Sequence, residues 1–289
     1  MSDTAPIDKH LARRAFEQAA AGYDEVAVLQ RELGQRMLDR LELVRLQPRT
    51  IVDVGAGTGV ASAALARRYK QARVVVLDFA PGMLHQARRR APWFRKLSYL
   101  CADAEHLPLA DQCCDLIYSN AALQWCNDLD RTFREFRRVL RPGGLLMFTT
   151  FGPDTLRELR ESWSVVDDRS HVGRFADMHD LGDGLLRAGL AEPVMDVDRF
   201  TLTYARVEDL MRDLKRLGAH NVAAQRPRGL TGKGALAKVS AYYEQLRCDG
   251  RLPASYEVVY GHAWAPQAAP GGAPSVPLSA LESSLRRPQ

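Results

Sequence analysis

The sequence predicts an α/β protein built on a doubly wound parallel sheet, and three observations support that fold. From Thr50 onward, short β-branched runs alternate with helical patterns of about ten residues, which indicates parallel strands with helices on both faces. A glycine-rich turn follows the first run, as at the ligand edge of such sheets. The 289 residues are 46% hydrophobic and 26% charged, a composition typical of a globular protein and not of a disordered chain or a disulfide scaffold.

Residues 1–49 predict a helical cap ahead of the sheet. Apolar residues recur every three or four positions between Asp8 and about Leu43, the spacing of one face of a helix. Gly22-Tyr23-Asp24 interrupts this pattern, so we expect two helices with a break between them. Pro48 ends the region.

Five strands and their crossover helices are predicted over residues 50–151. The strands are short apolar or β-branched runs that end at turn residues, namely Thr50–Val54, Arg73–Asp78, Leu97–Ala102, Asp115–Ser119 and Leu145–Phe151. The first helix is an alanine-rich stretch that reaches Tyr69, the second begins at Pro81 and runs to Arg90, and the third is amphipathic over Leu129–Leu140. Arg141-Pro-Gly-Gly144 ends the third helix.

A helix over Met178–Ala188 and strands over Val194–Tyr204 and Tyr256–Trp264 complete the main domain, which we expect to span residues 50–265. Two connecting segments, near residues 152–177 and 207–253, are longer than a minimal doubly wound sheet needs. The second is helical by pattern, and we expect the two insertions to cover the ligand edge as a lid. Pro, Gly, Ala and Ser dominate residues 266–289, which predicts a disordered tail.

Charge and cysteine usage narrow the functional class. The chain has a net charge of +5, and residues 206–238 contain eight Lys or Arg against three Asp or Glu, which favours an acidic partner or an anionic substrate. A solvated surface in an arginine-rich chain is the alternative. No apolar run approaches the roughly 18 residues of a membrane helix, and no signal peptide is visible. The five cysteines have neither disulfide nor metal spacing, so we expect no metal and a reducing cytoplasm.

The most informative motif is Asp53-Val-Gly55-Ala-Gly57-Thr-Gly59, at the turn from the first strand to the first helix. Glycines there allow positive φ angles and let a ligand approach the backbone closely. The spacing is GxGxG, whereas dinucleotide sites use GxGxxG. Asp53 would repel a pyrophosphate but suits a ligand that carries a cationic amino group. These features argue against an NAD(P)-dependent oxidoreductase.

Polar residues also follow the next three strands, at the edge where ligands bind in such sheets. Asp78 ends the second strand and is placed to accept both hydroxyls of a ribose, although a helix cap is its alternative role. Asp103-Ala104 follows the third strand, where a carboxylate can accept from an adenine amino group. Asn120 follows the fourth strand, at the switch point of the sheet. Ordinary loop positions are the alternative for Asp103 and Asn120.

These motifs together resemble the class I S-adenosylmethionine-dependent methyltransferases over about residues 50–151. The resemblance is carried by VDVGAGTG, Asp78, Asp103-Ala104 and the run RVLRPGG before the fifth strand. It implies a Rossmann-like, mostly parallel seven-stranded sheet whose last strand, Tyr256–Trp264, is antiparallel.

The same resemblance implies S-adenosylmethionine as the methyl donor and assigns its contacts. Asp53 and Gly55 would lie near the methionine moiety, Asp78 at the ribose and Asp103 with Ala104 at the adenine. We expect Gly57, Gly59 and Asn120 to contact the cofactor as well.

Further segments between Ala12 and Ala265 resemble the malonyl-acyl-carrier-protein O-methyltransferase family of early biotin synthesis. These segments are Phe16–Asp24, Ser119–Trp125, Phe151–Leu156, His171–Leu181, Gly218–Asn221 and Tyr256–Trp264. The resemblance implies methyl transfer to the free carboxylate of a malonyl thioester, which masks its charge so that fatty-acid enzymes will elongate it. The acceptor would be carried by an acyl carrier protein or by coenzyme A, and the sequence leaves this choice open.

Such a reaction needs no general base, because a carboxylate of pKa near 4 is already ionised at neutral pH. Tyr23 is our first candidate to close over the methyl group and hydrogen-bond the carboxylate. Gln124 and Trp125 follow the fourth strand near the same edge, and Trp125 would form a wall of the cavity. Arg174 is a candidate partner for the malonyl carboxylate or for the carrier's phosphate. Packing or salt-bridge roles are the alternatives for these side chains.

Acyl carrier proteins are small and acidic, so the 206–238 cluster is a candidate docking surface. Within it we expect Lys215, Arg216, Arg226 and Arg228 to contact the carrier. Three alternatives compete with this interpretation: a methyltransferase for a free dicarboxylate, a methyltransferase for a quinone precursor, and a nucleic-acid binder. The last is disfavoured because the basic stretch lacks interleaved aromatics, and we expect neither a nucleic acid nor a membrane as partner.

Overall fold

Seven strands form one sheet in the part of the chain that the computed structural model describes, which is residues 6–94, 97–223 and 232–267. In chain order the strands are β1 (Thr50–Val54), β2 (Arg73–Asp78), β3 (Leu97–Cys101), β4 (Cys114–Ser119), β5 (Leu140–Phe151), β6 (Ala191–Tyr204) and β7 (Leu252–Trp264). Their order across the sheet is β3-β2-β1-β4-β5-β7-β6.

Helices cover both faces of this sheet. Those that the structure describes are α1 (Lys9–Ala19), α2 (Tyr23–Val26), α3 (Val28–Glu42), α4 (Val60–Arg68), α5 (Pro81–Arg90), α6 (Leu129–Val139), α7 (Arg157–Ser164), α8 (Met178–Arg187), α9 (Val207–Arg216) and α10 (Lys233–Glu244). A short 3₁₀ helix, Leu123–Trp125, follows β4. Two apolar cores lie on the opposite faces of the sheet, since successive residues of a strand point to opposite sides.

The pairing confirms the predicted fold. Strands β1 to β5 are parallel to one another, whereas β7 is antiparallel to both β5 and β6. The strand order reverses between β1 and β4, and in doubly wound sheets ligands bind outside the carboxyl ends of the strands at such a switch point. The topology therefore puts the functional edge where the sequence motifs are found.

Strand ends are where the structure departs from the predicted elements. Strand β5 begins at Leu140 rather than Leu145, because Leu140 pairs with Cys114 and the N–H of Gly143 donates to the carbonyl of Ala265 at 2.8 Å. Strand β7 begins at Leu252 rather than Tyr256, although Pro253 has no N–H to give. In both cases the partner strand extends the sheet over residues that the sequence assigns to a turn or loop.

The N-terminal helices are broken where Gly22 was expected to interrupt them. Helix α1 begins after Asp8, whose carboxylate accepts the N–H groups of His10 and Leu11 at 3.1 Å each. Helix α3 packs beside α4 on one face of the sheet. Leu33, Met37 and Leu41 of α3 are fully buried in the core of that face. Helix α3 thus contributes to the main core, whereas Phe16 and Ala20 of the cap pack with residues of the second crossover in a small separate cluster.

The two insertions lie next to each other over the carboxyl edge. Helix α7 belongs to the connection after β5, and α9 and α10 belong to the connection from β6 to β7; α10 packs on α7, and α9 packs on α2. The predicted docking residues Arg226 and Arg228, and residues 268–289 of the predicted tail, lie outside the described residues. The described part of the chain contains no helix that is both long and apolar enough to cross a membrane.

Replacing Gly261 of β7 with alanine is expected to lower the free energy of unfolding by about 1–3 kcal/mol, the usual cost of overpacking a core. A Cβ at Gly261 would lie 2.3 Å from Cζ of Phe148, which is fully buried and cannot move aside. Urea unfolding followed by circular dichroism measures the loss.

Gly182→Ala is the matched control for this substitution. Gly182 is inside α8, and a Cβ there would meet nothing within 4 Å among the described residues beyond its own helix backbone. Alanine should therefore raise the free energy of unfolding by up to about 1 kcal/mol. Equal stability of the Gly261→Ala protein and the native chain would contradict the packing described above.

Candidate active site

A cavity opens at the carboxyl ends of β1, β2 and β4 and extends beneath α1 and α2. It holds about 640 Å³ of space between atoms, a volume that includes its open mouth. The expected site residues that line it are Tyr23, Gly55, Gly57, Asp78, Asp103, Ala104, Asn120 and Trp125. Those that do not line it are Asp53, Gly59, Gln124, Arg174, Lys215 and Arg216.

The three glycines of the first turn have different structural roles. Gly55 has a φ of +69°, and a Cβ there would lie 2.3 Å from Cβ of Ala122. Gly57 has a φ of +55°, and none of the described residues lies within 4 Å of where its Cβ would be, so its backbone faces open space in the cavity wall. Gly59, with a φ of +78°, lies against Ala87 of α5, where a Cβ would come within 2.7 Å. Gly59 therefore packs α4 against α5, whereas Gly55 and Gly57 form the wall.

Asp53 lies buried beneath this turn. Its carboxylate accepts a hydrogen bond from the hydroxyl of Ser62, a residue of α4. Burial raises the pKa of Asp53 to about 7, although the Ser62 bond opposes the shift, and the nearby charge of Asp78 adds to it. A cationic group bound above Asp53 would favour its ionised form.

Asp78 is held rigidly at the end of β2. One carboxylate oxygen accepts the N–H of Gly57 at 2.9 Å, and the other accepts the N–H of Ala80 at 2.8 Å. Burial raises the pKa of Asp78 to about 6, and these backbone bonds limit the rise. Because each carboxylate oxygen has two lone pairs, Asp78 can still accept from two hydroxyl donors of a ligand.

Lys9 is a wall residue that sequence reasoning missed. Its Nζ lies 3.0 Å from both carboxylate oxygens of Asp103 and 2.9 Å from Oε1 of Glu105. Burial alone would lower the pKa of Lys9, but Cys126, Glu105 and Asp103 together raise it. No local pattern links the start of α1 to the end of β3, so only the tertiary fold reveals this contact. Lys9 fixes the carboxylate of Asp103 at the cavity wall.

Aromatic rings roof the cavity. The ring of Phe16 in α1 meets Phe79 and Trp125 edge to face, with centroids 5.7 and 4.9 Å away. Glu17, the next residue of α1, accepts the N–H of Gly82 at the start of α5 at 2.7 Å. The roof therefore excludes water from one side of the cavity while α1 is tied to α5.

Tyr23 lies at the start of α2 and reaches into the cavity. Its phenol makes no hydrogen bond within the described ranges, and burial raises its pKa well above the ordinary value. The next residue, Asp24, accepts a hydrogen bond from the hydroxyl of Thr58 at 2.7 Å and pairs with Arg90. Helix α2 is thus fastened to the glycine turn, and Tyr23 stays protonated as a potential donor.

Asn120 and Gln124 are both bound within the protein. Asn120 donates from Nδ2 to the carbonyl of Gln30 at 2.9 Å, and its Oδ1 accepts from the hydroxyl of Thr149 at 2.7 Å. Gln124 donates to the carbonyl of Ala121 at 2.6 Å and accepts from Thr150 at 3.3 Å. Asn120 thus joins α3 to β5 at the cavity edge, and Gln124 fixes the turn after β4.

The remaining expected residues lie on the insertions. Arg174 is exposed in the connection after β5. Arg216 of α9 forms an ion pair with Glu25 of α2, so its charge is already engaged. Lys215 is exposed and has no ion pair among the described residues.

Comparisons with known proteins show what the whole chain is similar to. A family model described as a methyltransferase domain matches residues 52–148. The chain is 55% identical to a malonyl-acyl-carrier-protein O-methyltransferase of Gallionella capsiferriformans, over 90% of this chain and 92% of that one. It is 53% identical to the protein of the same name in Nitrosospira multiformis, over 90% of each. Among solved structures, the YcgJ protein of Bacillus subtilis matches with a TM-score of 0.59 and 13% identity, over 80% of this chain and 98% of that one.

Binding of S-adenosylhomocysteine is expected to weaken as the pH falls through about 7 and then about 6, the pKa values of Asp53 and Asp78. A ligand with a cationic amino group and two hydroxyl donors favours both carboxylates in their ionised forms, so protons must leave on binding. Below both values the affinity should fall by up to about tenfold per pH unit for each group.

Calorimetric titration between about pH 5.5 and 7.5, where an α-amino group stays cationic, measures this dependence. Asp78→Asn should bind more weakly and show a flatter dependence, because one of the two protons is removed from the equilibrium. If the dissociation constant of the native chain does not change across this range, Asp53 and Asp78 are not the groups whose ionisation favours binding.

Proposed function

The chain belongs to the malonyl-acyl-carrier-protein O-methyltransferase family, and on that premise we propose that it methylates the free carboxylate of a malonyl thioester. The observation that carries the proposal is the extent of the family match, which spans cap, sheet and insertions over 90% of the chain. A shared fold alone would leave the acceptor open. The methyl ester formed would prime pimeloyl synthesis for biotin.

The cavity fits S-adenosylmethionine as methyl donor. Gly57 leaves its backbone open to a ligand, where a side chain would intrude, and Asp53 beneath it suits a cationic amino group. Asp78 would accept the ribose hydroxyls, and Asp103 with Ala104 would contact the adenine. S-adenosylmethionine would supply an activated methyl group on a cationic sulfur. The residues present therefore match the chemistry of this donor.

This chain has two tasks in the reaction, which are to position the acceptor carboxylate and to exclude water. The carboxylate is ionised at neutral pH, so no residue has to remove a proton. The rings of Phe16 and Trp125 provide a low-polarity roof, which favours the joining of an anion and a sulfonium cation into neutral products. Tyr23 keeps its proton, so its hydroxyl can donate to the carboxylate and orient one oxygen.

We propose an acidic acyl carrier protein as the partner and α9 as part of its docking surface. Lys215 is the exposed cation there that has no ion pair in the described structure, whereas Arg216 is bound to Glu25. Charge alone does not select this surface. Residues 55–102 hold one acidic residue, Asp78, against nine basic ones, namely Arg67, Arg68, Lys70, Arg73, Arg88, Arg89, Arg90, Arg95 and Lys96. The position of α9 beside the carboxyl edge of the sheet distinguishes α9 from this second basic stretch. We also propose a cytoplasmic location for the protein.

The proposed function is tested by methyl transfer from radiolabelled S-adenosylmethionine. Malonyl-carrier protein is expected to accept base-labile label, whereas acetyl-carrier protein, which has no free carboxylate, should accept none. Parallel assays with malonyl-coenzyme A and with succinyl-carrier protein show which carrier and which acyl chain length the protein prefers. If the protein binds S-adenosylhomocysteine but transfers no methyl group to any thioester, it is still a methyltransferase by fold, but the malonyl acceptor is rejected. Free dicarboxylates and quinone precursors would then be assayed.

Lys215→Glu is expected to raise KM for malonyl-carrier protein by about 3- to 10-fold while leaving KM for malonyl-coenzyme A unchanged, since it reverses a steering charge. The effect should shrink as salt screens the interaction. Arg67→Glu makes the same charge change on α4, away from the insertions, and should leave both KM values unaltered. Equal effects of the two substitutions would show that net charge, not a docking surface, governs association.

A further inference from the structure

Arg160 of α7 is a half-buried cation at the carboxyl end of β5. Its Nη1 donates to the carbonyl of Pro153 at 3.0 Å and its Nη2 to the carbonyl of Thr155 at 2.9 Å. Its Nε is buried and has no hydrogen-bond partner in the described part of the chain. A guanidinium carries five N–H donors, so this side chain retains donors beyond the two that these bonds use.

Arg160 forms no ion pair among the described residues. The charges of three nearby carboxylates, Asp154, Glu161 and Glu158, favour its ionised form, but none of the three pairs with it. Two of them bind other groups. Glu158 accepts the N–H of Ser255 at 3.0 Å, and Asp154 lies 3.7 Å from Arg199. Burying a charge without a partner of opposite sign is costly, so an arrangement of this kind calls for an external anion.

The segment around Arg174 is pinned against the same place. The ring of His171 stacks on Trp163 of α7, with centroids 3.9 Å apart and planes 8° from parallel. Phe175 packs on Phe151 at the end of β5, with centroids 5.8 Å apart. Arg174 lies between these two anchors along the chain, and they hold its segment against the part of α7 and β5 that surrounds Arg160. Burial and the charge of Arg174 lower the pKa of Arg160, whereas the charges of Asp154, Glu161 and Glu158 oppose this shift.

We propose that Arg160 and Arg174 form a two-arginine site that binds an oxyanion of the acceptor. The inference rests on the proposed function and adds Arg160 to it. Strand β5 adjoins β4, whose end lines the donor cavity, so an acceptor that enters over the insertions passes this site. Its anion is either the malonyl carboxylate or the phosphate of a carrier's prosthetic arm, and paired guanidinium groups suit both.

Three single variants, Arg160→Met, Arg174→Met and Arg169→Met, test the site. The first two should each raise KM for malonyl-carrier protein at least about tenfold, the usual effect of losing a charged hydrogen bond. Arg169 is exposed in the same connection and serves as the control, with KM unchanged. The dissociation constant of S-adenosylhomocysteine should stay the same in all three, because the donor cavity is untouched.

The two sources of the anion are separated by a malonyl thioester of N-acetylcysteamine, which has no phosphate. A rise in KM for this acceptor as well as for malonyl-carrier protein assigns the site to the carboxylate. A rise for the carrier protein alone assigns it to the phosphate. Unchanged KM for both acceptors in both variants would overturn the proposal.

A binding measurement keeps this test independent of turnover. Malonate or inorganic phosphate should raise the melting temperature of the native chain and of Arg169→Met, but not of Arg174→Met. Arg174 is exposed, so its variant reports on the site even where Arg160→Met fails to fold. An equal rise in the melting temperature of Arg174→Met and of the native chain would overturn the proposed two-arginine site. Failure of the native chain to methylate any malonyl thioester would reject the proposed function, and the anion test would still stand.

Discussion

The path of the turn between β1 and α4 is fixed by close packing at two glycines. Gly55 passes against Ala122 and Gly59 against Ala87, each too closely for a side chain and each at positive φ. The donor cavity depends on this path, because it brings the N–H of Gly57 to Asp78. The same turn covers Asp53 from above. Close packing at these two glycines therefore determines the cavity wall, the position of the Asp78 carboxylate and the burial of the Asp53 carboxylate.

The cap closes the cavity through three separate attachments. Lys9 binds Asp103 after β3, Glu17 binds the start of α5, and Asp24 binds the glycine turn and Arg90. These attachments lie on different sides of the cavity, and Arg216 joins the cap to α9 in addition. A ligand that contacts both the cap and the sheet would stabilise this closed arrangement of the cap.

Local sequence patterns predicted the strands and the donor edge because those features are local. The ends of β1 and β2 match the expected elements at Val54 and Asp78, where a β-branched run meets a turn. Contacts between distant segments left no such signal. The Lys9–Asp103 pair joins residues 94 positions apart, and the Arg216–Glu25 pair joins residues 191 apart. Leu140 likewise joins β5 only because Cys114 pairs with it, which no local pattern shows.

Opposite charges distinguish the donor cavity from the proposed acceptor site. The buried carboxylates Asp53 and Asp78 lie at or beneath the wall of the donor cavity, and the charge of Asp78 raises the cost of ionising Asp53, so a cationic ligand would favour the ionised form. The proposed acceptor site, which lies outside the lining of that cavity, contains Arg160 and Arg174. Within the described residues neither these arginines nor the two carboxylates form ion pairs, and a cationic donor with an anionic acceptor would supply opposite charges to both. Such a site favours the bound pair over either ligand alone, and the products, which carry less charge than the reactants, bind to it less tightly.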